Sequence, residues 1–150
     1  MKIGIGMILG IVGGLVTAIG SYLPWATVSG GSLTSPVVFM GVGVGWGGVL
    51  VLAFGVLGLI CVAIPRKATA ILALVWGILA FVFALLVIGV QASLAQQYGG
   101  SGVVVTTEYG AWVSLAFSVL LILGSAIAYR EARKAASPPM APPMSPPPMQ

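Results

Sequence analysis

The sequence predicts an all-α integral membrane protein: an antiparallel four-helix transmembrane bundle with a small extracytoplasmic β element in its loops. The 150 residues are 59% apolar and 5% charged, with a mean hydropathy of +1.17, whereas a soluble domain carries about a quarter charged residues. Four uncharged apolar runs are each long enough to cross a hydrocarbon core of about 30 Å as a helix. All Lys and Arg residues lie outside these runs.

The runs define one membrane domain, residues 1–134, followed by a Pro- and Met-rich tail at 135–150 that we expect to be disordered and cytoplasmic. We expect spans at about residues 3–23, 46–64, 68–92 and 111–129. Only Pro65-Arg66-Lys67 separates the second and third runs. So short a joint makes these two helices antiparallel neighbours.

The first run carries small residues at every fourth position, at Gly6, Gly10, Gly14 and Ala18. Such a row lets another helix backbone approach closely, which drives association where lipid removes the hydrophobic force between helices. One alternative is that the glycines reflect codon composition alone. Another is that the run is a cleaved signal peptide with Lys2 as its charged end.

Small residues also form seams on the third and fourth runs. In the third they alternate in steps of three and four, the heptad spacing of left-handed helix packing. In the fourth, serines lie on one face, and their hydroxyls can bond either a neighbouring helix or the carbonyl four residues earlier. The third-run seam is Ala70, Ala73, Gly77, Ala80 and Ala84, and the fourth-run seam is Ala111, Ser114, Ser118, Leu121, Ser125 and Ala128.

The loops on the other side of the spans carry β signals. Gly30-Gly31 can supply the positive φ angles of a hairpin turn in the first connection. Pro36 indicates that the second strand of this hairpin is an edge strand. The β-branched run Val103–Thr107 favours a strand over a helix. We expect it to pair with the first connection and so form a small sheet.

Charge and aromatic residues predict the orientation. With four spans, one side of the membrane holds every Lys and Arg, and the positive-inside rule places that side, with both termini, in the cytoplasm of a multi-pass cell-membrane protein, plasma or inner. Aromatic rings that prefer the headgroup level fall near the opposite ends of the spans. The cations are Lys2, Arg66, Lys67, Arg130, Arg133 and Lys134, and the aromatics are Tyr22, Trp25, Trp46, Tyr98, Tyr109 and Trp112.

The chain is poor in catalytic side chains. It has no His, and its two carboxylates, Glu108 and Glu131, lie on opposite predicted sides. A catalytic triad, a carboxylate pair or a metal cage cannot be assembled from these residues. We therefore expect no enzymatic activity, no cofactor and no bound metal. The chain also has no basic stripe for nucleic acid and no ionisable residue within a span, which ion-coupled transporters usually need.

The layout resembles the claudin-type tetraspan arrangement. The likeness lies in a short cytoplasmic N-terminus, four spans, a longer first external loop containing Trp25, and a cytoplasmic tail. The Gly-Leu-Trp element of that family appears here as Val44-Gly45-Trp46. The pair of loop cysteines is missing, because the chain has a single cysteine, Cys61. The resemblance implies a tetraspan fold, and we assign the chain to no family on it.

These observations predict a non-catalytic membrane protein that acts as a structural or accessory subunit, or that packs against its own copies. The alternative is a subunit of an oligomeric channel or permeation pathway. The expected partners are the lipid bilayer and either further copies or another membrane protein. The Pro-rich tail could bind an aromatic-lined groove of a cytoplasmic partner.

Overall fold

A computed structural model describes residues 4–43 and 45–135 of the chain. Most of the described chain is helical, and the predictions for Lys2, Val44 and the tail beyond residue 135 lie outside it. The elements are, in order, α1 (Ile5–Gly20), β1 (Pro24–Gly30), β2 (Val37–Met40), α2 (Trp46–Ala63), α3 (Lys67–Tyr98), β3 (Val103–Thr107) and α4 (Tyr109–Ala135), with single 3-10 turns at Gly41–Gly43 and Gly99–Ser101.

Three of the helices, α2, α3 and α4, are long and apolar enough to cross a membrane. This supports the predicted class of a helical, membrane-embedded protein. The first helix is shorter, because α1 has 16 residues and is about 24 Å long. Beyond Gly20 the chain makes one tight turn, in which Tyr22 and Leu23 donate to carbonyls three residues earlier, and β1 begins at Pro24. The predicted count of four spans is therefore not confirmed by helix length.

The four helices form a ring in which each packs against its neighbours in the order α1, α2, α3, α4, and α4 closes the ring on α1. Neighbouring helices run antiparallel. Gly6 of α1 lies beside Ala128 of α4, and Gly20 lies beside Ser114, so the start of one helix meets the end of the other. α3 is the longest helix, with 32 residues or about 48 Å, and its extension beyond the bundle packs against β3.

The predicted small sheet is confirmed. It has three antiparallel strands in the order β2-β1-β3, with Thr27 opposite both Val38 and Thr106. The turn after β1 has φ angles of 87° at Gly30 and 62° at Gly31, a conformation that glycine adopts without steric cost. β2 forms one edge of the sheet and begins after Pro36, which lacks the N–H that a central strand needs.

Candidate functional site

The contact between α1 and α4 is built on glycines spaced seven residues apart. A methyl group at Gly13 would lie 2.8 Å from the Cα of Leu121, and one at Gly6 would lie 2.8 Å from the carbonyl carbon of Ile127. Real Cβ atoms essentially never come that close to backbone. The two helix backbones are therefore in direct contact, and only glycine fits at these positions.

The same close contact continues along both helices. A methyl group at Gly20 would overlap the hydroxyl oxygen of Ser114. From the opposite side, a methyl group at Gly124 would lie 2.6 Å from the Cα of Gly10. The interface is thus glycine-lined on both helices, and it covers nearly the whole length of α1.

The predicted row Gly6, Gly10, Gly14 and Ala18 does not face a single partner. Gly6 faces α4, whereas a methyl group at Gly14 would lie 3.0 Å from the carbonyl oxygen of Gly55 in α2. Gly55 also packs against Ala18. The reason is that a step of four residues turns about 40° around a helix, so the row drifts from one neighbour to the next. The seven-residue row of Gly6, Gly13 and Gly20 drifts by about 20° per step and keeps facing α4.

Leu121 is a fully buried side chain at the centre of the ring. One glycine from each of the other three helices packs against it. Gly13 of α1 lies against its backbone. A methyl group at Gly58 of α2 would lie 2.7 Å from its Cδ2, and a methyl group at Gly77 of α3 would lie 3.3 Å from its Cγ. Sequence reasoning missed Gly13, Gly58 and Gly124. The signal for Gly58 was present, because the buried residues of α2 alternate in steps of three and four: Gly48, Val51, Gly55, Gly58 and Val62.

The small residues of the α3 seam are all buried, and the seam continues to Gln91, seven residues beyond Ala84. Gln91 is 3% exposed, and neither its amide nitrogen nor its amide oxygen has a hydrogen-bond partner within the described residues. α3 meets α2 differently, through rings. Phe54 of α2 stacks on Trp76 at 5.5 Å between centroids and also contacts Phe83 at 5.5 Å.

The serines of α4 bond within their own helix. The Ser118 hydroxyl donates to the carbonyl of Leu115 at 2.6 Å, and the Ser125 hydroxyl donates to the carbonyl of Leu121 at 2.7 Å. Of the two options left open by the sequence, these two serines use the local one. Ser114 is buried, and its hydroxyl has no partner in the part of the chain that the structure describes.

Trp25 differs from the other predicted interface aromatics because it is buried within the protein. Its side chain is 0% exposed, and its indole N–H donates to the carbonyl oxygen of Gly20 at 2.8 Å. The ring fits into a slot lined by Gly41 and Gly110, where added methyl groups would lie 2.6 Å and 2.9 Å from ring atoms. The other predicted interface aromatics are exposed near the sheet end of the bundle: Tyr22, Trp46, Tyr98, Tyr109 and Trp112.

The described cations gather at the end of the bundle opposite the sheet. Arg66 and Lys67 lie at the start of α3, and Arg130, Arg133 and Lys134 lie on the last turns of α4. Glu131 of α4 contacts Gly4, the residue that precedes α1. A carboxylate is stabilised there by the positive end of the helix dipole. Glu108 lies at the sheet end, where its backbone N–H donates to the carbonyl of Trp25 at 2.8 Å.

Two cavities open at the cationic end, on either side of Ala70. One, of about 350 Å³, includes Arg66 and Glu131 in its lining. The other, of about 400 Å³, lies between α3 and α4 and includes Arg130 and Arg133. The first cavity therefore holds both signs of charge, whereas the charged side chains lining the second are both cationic.

The fold and these surfaces define the class: a helical bundle fit for a membrane, with an interior of glycine, alanine and serine and an exterior of Leu, Ile and Val. Comparisons with protein-family models, with curated proteins and with solved structures gave no match. The function is therefore argued from the geometry of this chain.

Proposed function

We propose that the protein is a non-catalytic, four-span integral membrane protein that serves as a structural or accessory component of a membrane assembly. In this proposal α1 and the turn at residues 21–23 form the first span, and the cationic end of the bundle lies in the cytoplasm. The clustering of Arg66, Lys67 and the cations of α4 at one end supports this orientation through the positive-inside rule.

Labelling of single cysteines in intact cells tests the orientation. In a Cys61→Ser background, a cysteine at Lys67 should be protected from a membrane-impermeant maleimide, and a cysteine at Thr106, next to Glu108, should react. Equal reaction at the two sites would contradict the topology.

In this proposal the surface for assembly is the β2 edge of the sheet rather than the glycine rows of α1. The glycines of α1 already pack against α2 and α4 of the same chain. All four side chains of β2 are exposed and apolar: Val37, Val38, Phe39 and Met40. β2 pairs with β1 on one side only, so its outer edge carries backbone groups that no described strand pairs. This unpaired apolar edge is the observation that carries the proposal.

An unpaired edge strand with apolar side chains is a template for strand addition by another chain. The simplest partner is the β2 strand of a second copy, because two identical edges pair antiparallel around a twofold axis. Another membrane subunit with a free strand would use the same edge.

A charge on this edge tests the proposal. In the full-length protein in lipid nanodiscs or mild detergent, Val38→Lys should convert a defined oligomer or complex to the single-chain form, because a charge on an edge strand opposes pairing. The matched control is Val104→Lys on β3, the opposite edge strand, which packs against α3. The side chain of Val104 is 54% exposed, close to the 52% of Val38. A wild-type protein that is monodisperse as a single chain, or an equal effect of the two variants, would overturn the proposal.

A second candidate is a subunit of an oligomeric channel. It is supported by three buried polar side chains without partners in the described chain, Thr17, Ser114 and Gln91, since polar groups inside a membrane often mark a pathway. Flux of ions and small solutes into liposomes that contain the purified protein tests it. Flux abolished by Gln91→Leu would favour a channel, and flux no higher than in empty liposomes would eliminate it.

A further inference from the structure

The cavity between α3 and α4 is a groove at the cationic end of the bundle, with a volume of about 400 Å³. Its wall on α3 is aliphatic and includes Ile71 and Leu74. On the α4 side its lining includes Tyr129, Arg130 and Arg133. The groove is therefore amphipathic along its length, apolar toward the middle of the helices and cationic toward their ends.

The polar part of the groove suits an anion with several oxygens. A guanidinium presents N–H donors in a rigid fork that matches the geometry of phosphate, and such charge-assisted bonds are among the strongest in proteins. Arg130 is exposed at the end of the apolar segment of α4. Tyr129, the residue before Arg130, also lines the groove. The Ser125 hydroxyl also lines the groove, but its proton is already donated to Leu121.

We propose that this groove binds an anionic phospholipid, with the phosphate of the headgroup at Arg130 and an acyl chain against Ile71 and Leu74. The proposal rests on the membrane location proposed above. Charge complementarity selects an anionic lipid over a zwitterionic one. The aliphatic wall selects a lipid over a free phosphate ion, which would leave that wall uncovered. Basic pockets between helices at the cytoplasmic side of a membrane are suited to anionic headgroups.

The neighbouring cavity provides an internal contrast. It opens at the same end of the bundle and also contains an arginine, Arg66, but Glu131 lines it as well. The carboxylate offsets the positive charge and repels a phosphate. Arg66 and Arg130 therefore have the same charge and lie at the same end of the bundle, and they differ in the cavity that they line.

The test measures binding of phosphatidylglycerol to the full-length protein. The protein is held in phosphatidylcholine nanodiscs or in a neutral detergent, phosphatidylglycerol is titrated, and bound lipid is counted by native mass spectrometry. Arg130→Gln should weaken binding about tenfold, since it removes a charge-assisted pair. Arg66→Gln, which removes the same charge from the other cavity, should change binding less than about twofold.

A second variant tests the apolar half without changing any charge. Leu74→Trp fills the groove and should also weaken phosphatidylglycerol binding, whereas Leu72→Trp, on an exposed part of α3, should not. Inorganic phosphate at millimolar concentration should not displace the lipid. Folding of each variant is checked by circular dichroism.

Each other outcome overturns the proposal. Equal weakening by Arg130→Gln and Arg66→Gln would show diffuse attraction to the whole cationic end. Binding that is insensitive to Leu74→Trp would show a headgroup contact without a groove. Displacement by inorganic phosphate would show a simple anion site, and unchanged binding in both Arg130→Gln and Leu74→Trp would place the lipid elsewhere.

Discussion

The interface between α1 and α4 and the interface between α2 and α3 are built in opposite ways. α1 and α4 meet at glycines, so that backbone lies against backbone. α2 and α3 include an aromatic contact, in which Phe54 lies between Trp76 and Phe83. The first contact depends on the absence of side-chain atoms, whereas the second depends on their presence.

The difference determines what each interface tolerates. In lipid no hydrophobic force draws helices together, and association depends on van der Waals contact and shape. An interface of glycines reaches that contact only at one short distance, so any added atom separates the helices. An interface of rings fills its own space and can adjust through side-chain rotation when one ring changes. We therefore expect the glycine interface to be the more sensitive of the two.

The largest effect is expected from a side chain inserted between α1 and α4. Gly13→Leu should lower the free energy of unfolding by at least about 4 kcal/mol, because the new side chain would displace the backbone of α4 at Leu121. The measurement is reversible unfolding in mixed micelles of a mild detergent and dodecyl sulfate.

The matched control is Gly89→Leu. Gly89 lies inside α3, and apart from the adjacent backbone of this helix a methyl group there would meet no atom of the described residues within 4 Å. This variant should be neutral or more stable by up to about 1 kcal/mol, the gain in helix propensity. Equal destabilisation by the two variants would mean that the glycine contact is not what limits stability.

A smaller loss is expected from a hole at the centre. Leu121→Ala should cost about 3 kcal/mol, because the three glycines around Leu121 have no side chains that could fill the cavity. Leu123→Ala, two residues along α4 on an exposed surface, should cost far less. The same unfolding titration measures both, and similar losses would contradict a central role for Leu121.

The ring interface should lose less. Phe54→Leu keeps an apolar side chain but removes both ring contacts, and it should cost about 1 kcal/mol. A loss as large as that of Gly13→Leu would reverse the ranking of the two interfaces.

The smallest effect is expected at a hydroxyl in the α4 seam. Ser125→Ala should change the free energy of unfolding by no more than about 0.6 kcal/mol, because the hydroxyl bonds its own helix rather than a neighbour. Ser125→Val, which replaces the hydroxyl with two methyl groups and so adds bulk to the buried seam, separates size from polarity. If the alanine variant is the more damaging of the two, hydrogen bonding rather than shape governs this seam.

Hydropathy and charge were sufficient to predict much of the fold, since they require no knowledge of distant contacts. Uncharged runs predicted the positions of the helices, and Gly30-Gly31 with the β-branched run Val103–Thr107 predicted the sheet. The heptad spacing of the α3 seam keeps its small residues on nearly the same face from Ala70 to Ala84, and all five are buried. The four-residue row of small residues in α1 predicted close helix packing, but this spacing does not specify which neighbouring helix each residue contacts.

Other features depend on contacts that a one-dimensional pattern does not contain. The slot around Trp25 brings together Gly20, Gly41 and Gly110, which belong to separate parts of the chain. Because Trp25 lies near the end of a predicted span, its position predicted a ring at the level of the lipid headgroups. The burial of this ring within the protein depends on the slot. The length of α1 was also overestimated, because the tight turn after Gly20 continues the apolar run without continuing the α-helix.

The unequal lengths of α1 and α3 have a consequence for the surrounding lipid. The two helices are not neighbours in the ring, so lipid beside α1 would meet an α-helix of about 24 Å. Lipid beside α3 would meet the apolar residues 68–90, a length of about 34 Å, because the last turns of this helix carry polar side chains such as Gln91. A bilayer of ordinary thickness would have to thin beside α1. The molecule would thus carry a built-in preference for thinner or more deformable patches of membrane on one flank.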